Sequence, residues 1–265
     1  MSVPHQARKR FGQNFLHDPG VIARIVKAID PQPGDDLVEI GPGLGALTAP
    51  LLARLGRMRV VELDRDVIPH LRAACGDAPG LEVIQADALT VDFGALAGSG
   101  KLRVVGNLPY NISTPLLFHL LDYAPQIRDM HFMLQKEVVQ RICAGAGEPD
   151  YGRLSVSLAA RCDAAHLFNV GPGAFRPAPQ VDSAIVRLVP RPPPVPIISW
   201  RNFDRVVSAA FSQRRKTLTN SLRGLLDAAQ IRTAGVDPSL RAERLDVPAY
   251  ARLAELLPAQ PAGVA

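Results

Sequence analysis

The segment Asn107-Leu-Pro-Tyr110 holds the residue types from which a site for a difficult nucleophile could be built. The 6-amino group of adenine is a poor nucleophile because its lone pair is delocalised into the ring. Two acceptors aimed at the amine hydrogens would draw that lone pair out and favour a more tetrahedral nitrogen. The side-chain oxygen of Asn107 can be one acceptor. The backbone carbonyl of Leu108 can be the other, set in place by the fixed φ of Pro109. Tyr110 offers a flat face for an extruded base. Such an arrangement suits an electrophile that needs alignment more than a strong base, as a sulfonium methyl does. The same four residues could also be a plain proline turn at a strand end, so the elements before them decide.

Upstream, Leu37-Val-Glu-Ile40 reads as a strand that runs into Gly41-Pro-Gly-Leu-Gly45, and a helical pattern follows. Glycines such as Gly41 and Gly43 let the chain turn sharply and approach a ligand where a side chain would collide. The amides at the start of the next helix would then face the crevice beyond the strand. Dehydrogenases, kinases and ordinary tight turns use similar loops, and two acids narrow the reading. Glu62 ends the second strand, 21 residues after Gly41, where a carboxylate can accept from both ribose hydroxyls. Asp87, in Gln85-Ala-Asp-Ala88, follows the third strand and can reach an adenine amine. Loop and acids at successive strand ends form one nucleoside site. A nicotinamide cofactor and S-adenosylmethionine both remain open at this point, and the acid after the third strand favours the latter.

No Ser-His-Asp arrangement or metal-ligand spacing stands out. His17, His70, His119 and His131 lie apart, and Cys75, Cys143 and Cys162 make no CxxC pair. Neither a bound metal nor a disulfide framework is expected, and a reducing compartment fits. The start, Met-Ser-Val-Pro-His-Gln-Ala-Arg-Lys-Arg, lacks the apolar core of a secretory signal, and no apolar run approaches the ~18 residues of a membrane span, so a cytoplasmic protein is expected.

The elements that must position these residues alternate. Strands are predicted over 36–41, 59–63, 81–85, 103–107 and 129–135, mostly short apolar runs of the kind buried on both faces of a parallel sheet. A helix is expected to begin at Asp18-Pro19, with Asp18 as N-cap and Pro19 at the first helical position, and another at Ser113-Thr-Pro115 by the same logic. Residues 155–161, 166–170 and 183–189 read as further strands, the last two closing the sheet as an antiparallel hairpin. Pro190-Arg-Pro-Pro-Pro-Val-Pro196 can be neither helix nor central strand and reads as a linker. Beyond it, 203–211, 218–229, 238–245 and 248–257 read as short helices. The expected fold is α/β: a doubly wound, mostly parallel Rossmann-like sheet over residues 1–192, then a small C-terminal all-α domain over 197–265.

Charge is uneven. Residues 201–265 carry ten basic against six acidic side chains, which is four of the chain's net five positive charges. A basic terminal segment beside a near-neutral body suits an acidic partner such as nucleic acid. Of the 30 basic residues 25 are Arg, a bias that genome composition can also produce, so the total is weaker than the distribution.

Nearly end to end, the chain resembles the bacterial small-subunit (16S) ribosomal RNA adenine dimethyltransferase family. The matching pieces are Arg10-Phe-Gly-Gln-Asn-Phe-Leu16, Glu39-Ile-Gly-Pro-Gly-Leu-Gly-Ala-Leu-Thr48, Val61-Glu-Leu-Asp64, Asn107-Leu-Pro-Tyr-Asn-Ile-Ser-Thr114, Phe175-Arg-Pro-Ala-Pro-Gln-Val-Asp-Ser183 and Phe211-Ser-Gln-Arg-Arg-Lys-Thr-Leu218. The resemblance implies that Asn14, Leu16, Gly41, Glu62, Asp87 and Asn107 contact S-adenosylmethionine. It implies that Asn107 and Tyr110 orient the target adenine, with Phe175 on its other face, and from its neighbours Phe175 reads as an exposed loop aromatic or as a core anchor. It further implies two methyl transfers to each of two adjacent adenines near the 3′ end of 16S rRNA and a part in small-subunit maturation; a monomer is expected. Arg8, Lys9 and Arg10, with Arg214, Arg215 and Lys216, would suit phosphate contacts, which supply affinity without reading sequence. The macrolide-resistance type of 23S rRNA methyltransferase shares the loop and a similar Asn-x-Pro-Tyr, and is the nearest rival. An assembly factor acting by binding alone is the non-enzymatic one.

Overall fold

The structure, a computed structural model, describes residues 14–258. The strands are β1 (Phe15–Leu16), β2 (Asp36–Ile40), β3 (Met58–Glu62), β4 (Leu81–Gln85), β5 (Leu102–Asn107), β6 (Ile127–Gln135), β7 (Cys162–Val170), β8 (Phe175–Arg176) and β9 (Ser183–Pro190). The helices are α1 (Pro19–Ile29), α2 (Thr48–Leu55), α3 (Ile68–Ala74), α4 (Phe93–Ala97), α5 (Ser113–Leu121), α6 (Lys136–Cys143), α7 (Arg153–Ala159), α8 (Trp200–Phe211), α9 (Leu218–Ser221), α10 (Ala228–Thr233) and α11 (Val247–Glu255).

Seven strands form one sheet in the order β4-β3-β2-β5-β6-β9-β7. β4, β3, β2, β5 and β6 run parallel, and β9 returns antiparallel to β6. Val38, Val60 and Val104 are fully buried at the centre, as expected for strands covered on both faces. From β2 the chain winds outward through β3 to β4, then crosses back to β5. The carboxyl ends of β2 and β5 therefore open a crevice at the switch point, where such sheets bind ligands. Arg103 anchors the opposite end. Buried at the start of β5, it donates to Asp129 at 3.0 Å, Asp35 at 2.6 Å and the Asp30 carbonyl at 3.2 Å, which ties β6 and the end of α1 to the strand. A buried guanidinium persists only with such partners.

Several elements differ from expectation for physical reasons. Asp18 caps α1 as predicted, accepting from Val21 N at 2.9 Å. Ser113 does not cap α5: it is the first helical residue, and its hydroxyl donates back to the Tyr110 carbonyl at 3.1 Å. Residues 155–161 are not a strand. Ser155 and Ser157 are as buried as Val156 and Leu158, so the polar-apolar alternation marks no exposed face. Ser155 instead accepts from Gly152 N at 3.0 Å at the start of helix α7. The helix predicted over 218–229 is two: Gly224, at φ 91°, interrupts it, and Asp227 caps α10. Residues 238–245 hold only a 3-10 turn at Ala242–Arg244.

The chain forms two compact units, 14–139 with 165–190, and 140–164 with 191–258. The proline-rich stretch thus marks one of three crossings between units. Residues 140–164, read from the sequence as part of the first domain, belong with the terminal helices. Tyr151 and Val156 join Phe203, Val206, Leu222 and Tyr250 in that unit's core. Tyr151 reaches into it to donate to the Leu245 carbonyl at 2.9 Å.

Candidate active site

A cavity of about 310 Å³ lies at the carboxyl ends of the central strands, near the lower end of the ~300–1,000 Å³ typical of small-molecule sites. Asn14, Gly41, Gly43, Glu62, Asp87 and Asn107 line it, and so do Leu16, Leu108, Pro109 and Tyr110. Residues as far apart in the chain as Asn14 and Tyr110 are thereby brought to one cavity.

Gly41 and Gly43 adopt φ values of 67° and 55°, the left-handed region that L side chains rarely enter. A Cβ at Gly43 would come within 3.1 Å of the Phe15 ring, so the loop is a cradle that a side chain would fill. The helix after it starts late. The lining runs through Ala46 and Leu47 and stops before Thr48, where α2 begins, so turn residues and not the helix start border the cavity.

Glu62 is buried, with one oxygen accepting from Asp64 N at 2.8 Å and the other from Gly43 N at 3.4 Å. Burial pushes its carboxyl pKa up, while those amide bonds pull the other way. The Leu63 amide lowers it as well, and the carboxylate keeps acceptor capacity for a ligand hydroxyl. Asp87 spends Oδ1 on Leu89 N at 2.9 Å, closing a turn of its own. Its second oxygen can serve a ligand amine.

Asn107 donates from Nδ2 to the Asn14 carbonyl at 3.0 Å. A carbonyl only accepts, so the amide group is held with its nitrogen toward Asn14 and Oδ1 left as an acceptor. Leu108 N extends the β5/β6 ladder by donating to the Met133 carbonyl at 3.2 Å. Among the described residues no hydrogen bond ends on the Leu108 carbonyl. Tyr110 is half-buried, and its phenol oxygen lies 2.8 Å from Ser183 Oγ. Burial raises the phenol pKa against the opposing effect of that bond.

Phe175 is placed differently. It is 3% exposed, sits in β8 opposite Leu16 of β1, and packs in the core, outside the cavity lining. The exposed-loop reading is corrected: pairing with β1 draws the ring inward. Arg214, Arg215 and Lys216 are exposed on the turn between α8 and α9, and Arg214 donates to the Pro149 carbonyl at 2.6 Å. Arg8, Lys9 and Arg10 lie outside the described residues.

Glu39 had no role assigned from the sequence. A carboxylate inside an apolar strand, two residues before the glycine loop, was the available signal. It lines the cavity yet is only 1% exposed, and it accepts from Thr48 Oγ1 at 2.6 Å. Burial pushes its pKa up to about 7; the Thr48 bond opposes this and the nearby Glu62 charge adds to it. The ordinary value is 4.5, so the folded state holds the proton more tightly than the unfolded chain. That stabilisation is complete below pH 4.5 and is lost as pH rises through about 7, amounting to roughly 3 kcal/mol. Glu39→Gln keeps an acceptor for Thr48 and removes the titration. Urea unfolding at pH 5 and pH 8 is expected to show a smaller loss across that interval in the variant; equal losses in both proteins would refute the buried-acid account.

Sheet order and a site at its switch point place the chain in the Rossmann-like methyltransferase class. Solved structures agree. The chain is similar to a dimethyladenosine transferase from Plasmodium falciparum, with a TM-score of 0.74 and 25% identity covering 90% of this chain and 95% of that one. It is also similar to the 23S rRNA methyltransferase ErmE, with a TM-score of 0.70 and 28% identity covering 92% and 99%. The model of the ribosomal RNA adenine dimethylase family matches residues 4–258, and the chain belongs to that family. Ribosomal RNA small subunit methyltransferase A of Pseudomonas fluorescens (strain Pf0-1) is 58% identical over 260 residues, 97% of this chain and 96% of that one. Its counterpart in Pseudomonas aeruginosa is 58% identical over 255 residues, 96% and 95%. The protein is an enzyme, an rRNA adenine methyltransferase. Among the described residues no helix is long and apolar enough to cross a membrane.

Proposed function

We propose that the protein uses S-adenosylmethionine to dimethylate N6 of two adjacent adenines near the 3′ end of 16S rRNA in the small ribosomal subunit. The observation that carries the chemistry is the fixed amide of Asn107, its nitrogen held by the Asn14 carbonyl and its oxygen left to accept. With the Leu108 carbonyl it offers two acceptors for the two hydrogens of an adenine amine. As they accept, electron density moves onto the amine nitrogen. Pro109 restrains the turn that carries them, and Tyr110 provides the platform for the base.

The cofactor's fit rests on the same cavity. The glycine cradle admits a ligand where a Cβ would strike Phe15, Glu62 keeps acceptors for a ribose, and Asp87 keeps one for an adenine amine. Asn14 and Leu16 close the wall beside them. When bound, S-adenosylmethionine supplies a methyl group on a positively charged sulfur. The chain's own work is to orient the amine and exclude water, and the amine proton leaves to solvent after transfer. Arg214, Arg215 and Lys216 stand exposed and suit rRNA phosphates, with Arg8, Lys9 and Arg10 as a second basic group in the sequence.

The small subunit is favoured as the target by the 58% identity to relatives named for it, against 28% to the 23S enzyme. The test is incubation with labelled S-adenosylmethionine and under-methylated small subunits, or large subunits, followed by nucleoside analysis. N6,N6-dimethyladenosine in the small subunit alone is expected. Label in the large subunit, or in neither, would overturn the proposal.

A further inference from the structure

Tyr110 is held at two points, by a hydroxyl three residues on and by one 73 residues on. Ser113 Oγ donates to its backbone carbonyl at 3.1 Å, and Ser183 Oγ lies 2.8 Å from its phenol oxygen. Ser183 is fully buried at the start of β9, in register with Gln135 of β6. The preceding residue, Asp182, accepts from Lys136 N at 2.9 Å through its carbonyl, so the serine stands on a fixed ladder. A buried hydroxyl needs a partner, and Tyr110 supplies it.

We infer that Ser183 is a positioning residue for methyl transfer: its hydroxyl fixes the Tyr110 ring and so the platform on which the target base rests. This rests on the reading of Tyr110 as that platform. The geometry explains why one bond suffices. The phenol oxygen lies on the long axis of the ring, so a bond there pins the ring's tip. The bond therefore restrains where the ring's tip can sit, although the torsion about the ring axis is broad by itself. Phosphate contacts carry most RNA affinity, so a loosened ring lowers the productive fraction of bound complexes and leaves overall binding almost unchanged.

The experiment is a double-mutant cycle of Ser183→Ala and Tyr110→Phe on under-methylated small subunits, with kcat and KM measured for each. Ser183→Ala is expected to lower kcat roughly three- to tenfold, the value of one hydrogen bond, with KM for the subunit within about twofold. The double variant should lose no more than Tyr110→Phe alone, because the serine acts through the phenol oxygen. Additive losses, or an unchanged kcat in Ser183→Ala, overturn the inference. A second readout needs no substrate. In ring-labelled tyrosine NMR, the resonance absent from Tyr110→Phe should shift or broaden in Ser183→Ala, and an unmoved resonance overturns the inference by itself. If the wild-type protein transfers no methyl to small subunits, the proposed function fails, while the ring signal still decides whether Ser183 holds Tyr110.

Discussion

Asn107→Ala is expected to reduce kcat for methyl transfer by about 10²–10³-fold, the range seen when one preorganised dipole is removed from a reacting centre. The substitution deletes the acceptor together with the hydrogen bond to the Asn14 carbonyl that orients it. Asn107 also lines the cofactor cavity, and some loss of cofactor affinity should accompany the rate loss. That affinity loss should be the smaller effect, because Glu62, Asp87 and the glycine loop remain. Asn107→Asp separates geometry from electrostatics. Two carboxylate oxygens have no donor for the Asn14 carbonyl, so one of them faces another oxygen across the 3.0 Å now spanned by a hydrogen bond. The side chain must rotate to relieve that contact, while an ionised oxygen can still face the amine. After one methylation the amine has a single hydrogen, and a charged acceptor left unpaired is penalised more than a neutral one. Asn107→Asp is therefore expected to accumulate N6-monomethyladenosine. Nucleoside analysis of a time course reads the ratio directly, and full dimethylation at the wild-type rate would rule out the neutral-acceptor argument.

Gly106→Ala is expected to destabilise the fold by about 3 kcal/mol, the upper end of the usual penalty for overpacking. Gly106 precedes Asn107 in β5, and a Cβ there would stand 2.4 Å from the Ile40 carbonyl and 3.1 Å from Leu108 Cδ2. The first obstacle is backbone of the neighbouring strand, which cannot swing aside as a side chain can. Relief requires β2 and β5 to separate where their carboxyl ends form the crevice, so Asn107 moves with them. Activity should fall together with stability. Gly173→Ala is the control, since nothing lies within 4 Å of a Cβ built there, and a change below about 0.5 kcal/mol is expected. Chemical denaturation of the two variants against wild type gives the comparison. Equal stability of Gly106→Ala and Gly173→Ala would show that the strands are not held as closely as described.

The parallel sheet and the gathering of its strand-end residues around one cavity were legible because their signals are local. Short apolar runs mark β2 to β6, and the residues just beyond each run must emerge at the carboxyl edge, so Gly41, Glu62, Asp87 and Asn107 fall together from chain order and strand direction alone. Asp18 and Pro19 announced α1 by a cap that needs only four residues of context. Local signals failed where both faces of a segment are buried, as at Ser155 to Leu158, whose alternation mimics a strand although it forms a helix. They also failed at Phe175, where pairing of β8 with β1 decides exposure.

The order of the fold and the kind of atoms at its switch point were thus properties of the sequence itself, because strand period, glycine conformation and capping act over a few residues. Tertiary structure decided how those atoms are aimed. The Asn107 amide is oriented by a carbonyl 93 positions earlier, and the Tyr110 ring is pinned by a hydroxyl 73 positions later. The Glu39 carboxyl is kept protonated toward neutrality by burial that no neighbour in sequence imposes. Contacts at such separations are selected by the packing of whole elements against one another, and no periodicity along the chain encodes them.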